Sequence, residues 1–187
     1  MVANSIRWTV RDLDAMLDNS GWTRYEIIDG ELLVTRAPHA WHQNAGSNIH
    51  FELTAWSRQT GLGRSLEAPG VVLTEGDAVI PDVVWVSKER WASSLDDAGH
   101  FTTVPELVVE VLSGDSKNEQ RDRETKLKFY SLHGVQEYWI VDWRSQQIEV
   151  YRRRDVQLQL MATLLSVDRL TSPLLPGFAC AVSVIFE

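Results

Sequence analysis

At 187 residues, 44% hydrophobic and 24% charged, the chain can bury one sizeable core and gives no reason for a second, so a single domain over residues 1–187 is expected. No apolar stretch approaches the roughly 20 residues of a membrane span, and the lone Cys180 excludes an internal disulfide and a Cys-rich zinc site while leaving oxygen-donor metals open. The net charge of −8 excludes a broadly basic nucleic-acid-binding surface, so any basic footprint must be local.

The first residues mix Arg7, Arg11 and Asp12 with isolated apolar side chains and lack the continuous apolar core of a secretory signal, so cytoplasmic residence is expected. Thr9 with Asp12 forms a capping box for a short amphipathic helix carrying Leu13, Met16 and Leu17 and ending near Gly21. Tyr25-Glu26-Ile27-Ile28 and Glu31-Leu32-Leu33-Val34 flank Asp29-Gly30, a hairpin signal because a type I′ turn needs positive φ at both central positions. Trp41, Ala45, Ile49, Leu53 and Trp56 recur at helical spacing between His39 and Thr60, with Gly61 and Gly63 as the stop. Strands are then predicted over Ala68–Thr74, over Ala78–Ser87 with Asp82 near its middle, and over Val104–Leu112. The last two are apolar on both alternating faces, as central strands covered by helices are.

A helix capped by Ser113, Asp115 or Ser116 runs to about His133 and stops at Gly134, and Val135–Asp142 returns as a strand, giving a right-handed crossover. Ile148–Arg152 and Leu158–Leu164 alternate as a peripheral antiparallel pair, Leu174–Phe178 breaks direction, and a last short strand reaches Phe186. Cys180 reads as a small buried hydrophobe. The eight tryptophans are scattered, which suits core and interface anchors better than base-stacking platforms.

Two carboxylates interrupt this pattern. Asp82 opens Pro81-Asp82-Val83-Val84-Trp85-Val86, and Glu110 sits inside Leu107-Val108-Val109-Glu110-Val111-Leu112. An ionised carboxylate buried without a partner costs several kcal/mol at least, about enough to demand a cation or a dense shell of donors. Placed side by side on adjacent strands, the two acids suit a hard divalent cation, and Lys126 on the following helix supplies an ammonium for attacking water or phosphate. This is the constellation of a metal-dependent phosphodiesterase.

The order of helix, three strands, helix and strand, with Pro-Asp on the second strand and Glu on the third, is similar to the restriction-endonuclease-like PD-(D/E)XK superfamily, an α/β (α+β) fold with a mixed sheet. Here it carries an N-terminal helix and hairpin and a C-terminal antiparallel extension. More narrowly, from about Tyr25 to Phe186 the chain resembles the Uma-two family of restriction-endonuclease-like proteins. The marks are Asp29-Gly30-Glu31, His42-Gln43, Pro81-Asp82, Pro105 through Ser113, the Asp122, Lys126, Tyr130 ladder, Glu137 through Asp142, and Leu175-Pro176-Gly177. One departure stands out: Leu112 occupies the position of the strand lysine in the (D/E)XK element, and the resemblance implies that Lys126 replaces it from the helix. It further implies an endonuclease dependent on Mg2+, with Mn2+ as a substitute, in which Asp82 and Glu110 hold the ion, the Val111 carbonyl adds a ligand, and Lys126 stabilises the attacking hydroxide or the transition state. DNA is the expected substrate, and cutting both strands needs two sites, hence a homodimer.

Each of these residues also has a structural reading. Asp82 and Glu110 can form a buried ion pair with Lys126. Lys126 can belong to a solvated helix face, since Glu119 to Arg123, Asp122 to Lys126 and Glu124 to Lys128 are all acid-to-base pairs four apart. His42 serves either as a proton carrier or as packing beside Trp41, Glu31 as an extra ligand or an exposed strand carboxylate, and Tyr130 as a phosphate contact or core. Asp122 points along the same helix face as Lys126. Arg152-Arg153-Arg154 suits protection of a sheet edge better than a grip on DNA. A catalytically inactive nuclease-like module that binds nucleic acid or protein, and hydrolysis of some other phosphodiester, are the competing functions; the negative charge suits the latter.

Overall fold

In the computed structural model, which describes residues 6–16 and 23–187, helix α1 (Val10–Ala15) starts from the expected capping box, with the Thr9 N–H donating to Asp12 Oδ2 at 2.8 Å. The expected helix end near Gly21 lies outside the described residues. Asp29 and Gly30 both take positive φ, 50° and 74°, and turn β1 (Thr23–Ile28) into β2 (Glu31–Arg36) with Ile28 opposite Glu31. Helix α2 (Ala40–Thr60) is capped by the His39 ring, which accepts the Trp41 N–H, and ends at a left-handed Gly61. Gly63, expected to help stop that helix, instead opens β3 (Gly63–Glu67), a strand the sequence reading left out. A Cβ there would lie 2.4 Å from the Trp85 ring, so only glycine permits the approach.

The expected strand over Ala78–Ser87 is two strands. Pro81 has no N–H to give a ladder, and the chain breaks at Ile80-Pro81-Asp82 between β5 (Asp77–Val79) and β6 (Val83–Ser87), so Asp82 lies just ahead of a strand rather than in its middle. β4 (Val71–Thr74) and β5 join the hairpin in a four-stranded sheet, β2-β1-β5-β4. The short helix α3 (Lys88–Trp91) follows β6. β7 (Leu107–Val111) leads into α4 (Ser116–Gln120), a π-helical segment (Arg121–Lys126) and α5 (Leu127–His133), and the chain returns in β8 (Glu137–Asp142), parallel to β7 as the crossover requires.

β9 (Gln147–Arg154) and β10 (Gln157–Leu165) complete a six-stranded mixed sheet, β10-β9-β8-β7-β6-β3. β9 is therefore interior, and its arginines guard no edge: Arg152 pairs with Glu137, and Arg153 binds the carbonyls of Val135 and Ser131. β11 (Arg169–Thr171) pairs with β12 (Ala179–Ala181), and the expected strand to Phe186 ends instead as the helical turn α6 (Val182–Ile185).

Alternation sorts the sheet into two faces. Val83, Trp85, Leu107, Val109, Val111 and Trp139 pack under Ile49, Leu53 and Trp56 of α2. Val84, Val86, Val108, Leu112, Tyr138 and Ile140 pack under Phe129 and Tyr130 of α5. By the same period of two, Glu110 belongs to the α5 face. Among the described residues no helix is long and apolar enough to cross a membrane.

Candidate active site

β6 and β7 run antiparallel with Val83 opposite Val109, and one further step in that register sets Asp82 opposite Glu110. Asp82 closes the gap beyond the last strand pair: its Oδ2 accepts the Val111 N–H at 2.8 Å. Arg24 from β1 donates to Asp82 Oδ1 at 3.0 Å, and His42 Nε2, from the first turn of α2, lies 3.2 Å from Oδ2. A hairpin strand, a helix and the neighbouring strand thus converge on one carboxylate.

Glu110 faces the helix. Its Oε1 accepts from Lys126 Nζ and from the Tyr130 hydroxyl, both at 2.8 Å. Lys126 Nζ also lies 3.1 Å from Glu26 Oε1 and 3.9 Å from Asp122 Oδ1, with only 1% of the residue exposed. The solvated-face reading of Lys126 is therefore overturned by burial. The π-helical turn brings Asp122 and Lys126 together onto the sheet side, and the Tyr138 hydroxyl secures it by donating to the Asp122 carbonyl at 3.0 Å. Such π-helical turns are rare and recur at functional sites.

Three carboxylates thus share one ammonium. Burial raises the pKa of Glu110; Lys126 opposes this, but Asp82, Asp122 and Glu26 add to it, and the group is pushed up to about 8. Asp122 is raised by burial in the same way, against Lys126 and Arg121. Burial works against the charge on Lys126, but Glu110, Glu26 and Asp122 outweigh it and hold the ammonium protonated well above its ordinary range. Asp82 goes the other way: burial is outweighed by His42, Arg24 and the Val111 N–H, which keep it ionised far below the usual carboxylate range. The site carries more carboxylates than its own cations neutralise, and the excess is relieved at Glu110, which takes up a proton far more readily than an ordinary carboxylate.

These groups line a cavity of about 680 Å3 between the hairpin, the start of α2 and the π segment. Of the five buried side-chain polar atoms lacking a hydrogen-bond partner among the described residues, four belong to residues of this cavity: His42 Nδ1, Ser113 Oγ, Arg121 Nε and Asp122 Oδ1. Among the described residues no three His, Cys, Asp or Glu side chains are grouped to hold a metal. The donor set nevertheless fits a hard cation that binds through one or two carboxylates and keeps most of its water. Asp82 receives three contacts on a carboxylate with about four lone-pair directions, Glu110 shares its ammonium with two other acids, and a divalent ion bound there would offset the surplus charge.

The structure brings Asp82, Glu110, Lys126, His42, Asp122 and Tyr130 to this one place, and Glu31, at the start of β2, lines the rim with an exposed side chain. Three residues escaped the sequence reading. Glu26 is 1% exposed, shares Lys126 with Glu110 and accepts the Ile80 N–H at 2.9 Å. The signal that exposed Glu110, an acid inside an apolar strand, was present in Tyr25-Glu26-Ile27-Ile28. Arg24 and Arg121 gave no comparable signal, because an arginine near a strand end or on a polar helix reads as ordinary surface.

A mixed sheet covered by helices on both faces, with an acidic pair at the end of two central strands, gives the chain a restriction-endonuclease-like fold. A solved structure from Anabaena variabilis, described as a "putative nuclease", shares this fold with a TM-score of 0.70 at 18% identity, over 94% of this chain and 96% of that one. The type IIG restriction endonuclease BpuSI matches at 12% identity with a TM-score of 0.45, over 78% of this chain and 15% of its own. No curated protein matches. The chain belongs to the Uma2 family, described as "Putative restriction endonuclease", which matches residues 10–183.

Proposed function

We propose that the protein is a magnesium-dependent endonuclease that hydrolyses DNA phosphodiester bonds, with manganese able to replace magnesium, and that it acts in the cytoplasm as a homodimer whose two sites cut the two strands. The observation that carries this reading is the pairing of Asp82 with Glu110 across β6 and β7, beside a buried Lys126 and open to one large cavity. Asp82 and Glu110 would hold the ion, with the Val111 carbonyl as a third oxygen. Bound there, a divalent cation polarises the phosphate and makes its water more acidic.

The chain's own groups supply the rest. Lys126 stays protonated, so it acts as a fixed charge rather than a base, suited to stabilise the hydroxide or the negative charge that develops on the phosphoryl oxygens. Arg24 holds Asp82 in position, and Glu26 and Asp122 hold Lys126. Arg36 and Arg121 also line the cavity, but its carboxylates outnumber its cations, so a phosphate chain would need a bound divalent ion to offset them. Asp82→Ala is expected to abolish magnesium- or manganese-dependent cleavage of DNA without unfolding the chain, and unchanged cleavage rejects the assignment.

One observation favours a second reading, a nuclease-like module that binds nucleic acid or protein without hydrolysis: Arg24 and His42 already satisfy Asp82 within the protein. Under that reading millimolar magnesium neither binds by calorimetry nor raises the melting temperature.

A further inference from the structure

A second cavity, of about 350 Å3, lies between Trp41, Asn44, Trp143, Arg144, Gln146 and Phe186. Trp41, in the first turn of α2, is 54% exposed, so of the core and interface anchors expected among the tryptophans it is not a core one. Trp143 is held rigidly: its indole N–H donates to the Leu112 carbonyl at 3.0 Å, two residues after Glu110, and its ring stacks on His39 with centroids 4.9 Å apart and planes 8° apart. His39 is also a wall of the catalytic cavity. The two cavities are therefore neighbours across a single stacked ring pair. Among the described residues, the one cation lining the second cavity is already paired, since Arg144 lies 2.6 Å from Glu119 and 3.3 Å from Asp142. What this cavity offers a ligand is flat aromatic surface, with the Gln146 amide beside it; the Asn44 amide already donates to the Glu187 carbonyl at 2.6 Å.

We propose that this cavity receives an unpaired nucleobase of the substrate strand, next to the phosphodiester that is cut, stacked on Trp41 and Trp143. The proposal rests on the nuclease reading and deepens it: it requires a substrate with at least one base out of the duplex stack, as in a single strand, a frayed end or a flipped nucleotide. A base inside a paired duplex has both π-faces covered by its neighbours, whereas a single-stranded base can present one, and stacking on aromatic side chains tolerates every sequence.

The test is binding of a fluorescent single-stranded oligonucleotide to the full chain, with calcium in place of magnesium to suppress cleavage. Trp41→Ala is expected to weaken binding about tenfold, the effect of losing one stacked base, and Trp41→Phe to restore most of it. Scanning one abasic residue along the oligonucleotide is expected to find a position at which wild type loses the same factor and Trp41→Ala loses nothing further. Additive losses at every position, equal loss with a blunt duplex, a change of self-association in place of binding, or no oligonucleotide binding by wild type would each overturn the proposal. Because the readout is binding, it stands apart from the cleavage assay: a chain that stacks bases but cuts nothing refutes the nuclease reading alone.

Discussion

Glu110 on β7 and Glu137 on β8 are buried carboxylates in neighbouring strands of one sheet, 3% and 2% exposed, yet their surroundings differ in kind. Glu137 has partners of its own: Arg152 donates at 2.5 Å, the Ser172 hydroxyl donates as well, and Glu137 lines neither cavity. Glu110 shares one ammonium with Glu26 and Asp122 and opens onto a cavity. Burial raises the pKa of both. A buried acid in a strand therefore does not define a site; a surplus of acids over cations, reached by solvent, does.

The strongest way to break this contrast is by activity. Glu110→Gln is expected to lower divalent-dependent DNA cleavage by about 10³-fold, the size of losing a main electrostatic element of a transition state, whereas Glu137→Gln, far from the cavity, should change the rate by no more than a few-fold. Equal losses in a cleavage assay would remove the distinction.

Stability separates the two next. Lys126→Ala leaves three buried carboxylates uncompensated and is expected to cost about 3–5 kcal/mol in urea unfolding. Arg152→Ala should cost less, because the Arg152 side chain is 30% exposed and water can replace it. A Lys126 variant no less stable than the Arg152 variant would contradict the shared-ammonium account.

The third contrast is in pH. Glu110 titrates near 4.5 when unfolded and near 8 when folded, so its contribution to stability is fully present below about pH 4.5 and is lost as pH rises through about 8. Without divalent ions, stability should fall across that window, and Glu110→Gln should remove most of the slope. Asp82 has the opposite sign, and the stability it contributes is lost as pH falls below its unfolded value of 3.8. Thermal melts from pH 2 to 9 would cover both windows; an unaltered slope between pH 4.5 and 8 in Glu110→Gln would assign that loss to other groups.

The smallest effect concerns single donors. Tyr130→Phe, which removes a 2.8 Å bond to Glu110, and Ser172→Ala, which removes one to Glu137, are each expected to cost about 1 kcal/mol. Only the former should move the high-pH loss of stability.

Much of this was legible in the chain. The hairpin at Asp29-Gly30, helix α2 with its Gly61 stop, and the β7–α5–β8 crossover follow from turn chemistry and periodicity, which are local. Asp82 and Glu110 stood out because an acid in an apolar run violates its surroundings. Other features are set by neighbours distant in sequence. Glu110 and Glu137 look alike as letters, and only the positions of Arg152, Ser172 and Glu26 in space separate them. The break at Pro81 could have been read from the missing N–H. The π-helical turn that buries Lys126 could not, because Asp122 to Lys126 at a spacing of four reads as an ordinary exposed helix pair. The interior place of β9 was hidden for a related reason: its alternation with β10 described the hairpin and not the strand on its other side.

The most direct measurement is calorimetric titration of manganese into the wild-type chain at pH 7, in two buffers of different ionisation enthalpy, with Glu110→Gln alongside. If the surplus charge is held as a proton on Glu110 and a divalent ion replaces it, binding releases about one proton in the wild type, and Glu110→Gln binds more weakly with no release. Absence of binding at millimolar manganese, or binding without proton release, would contradict the account.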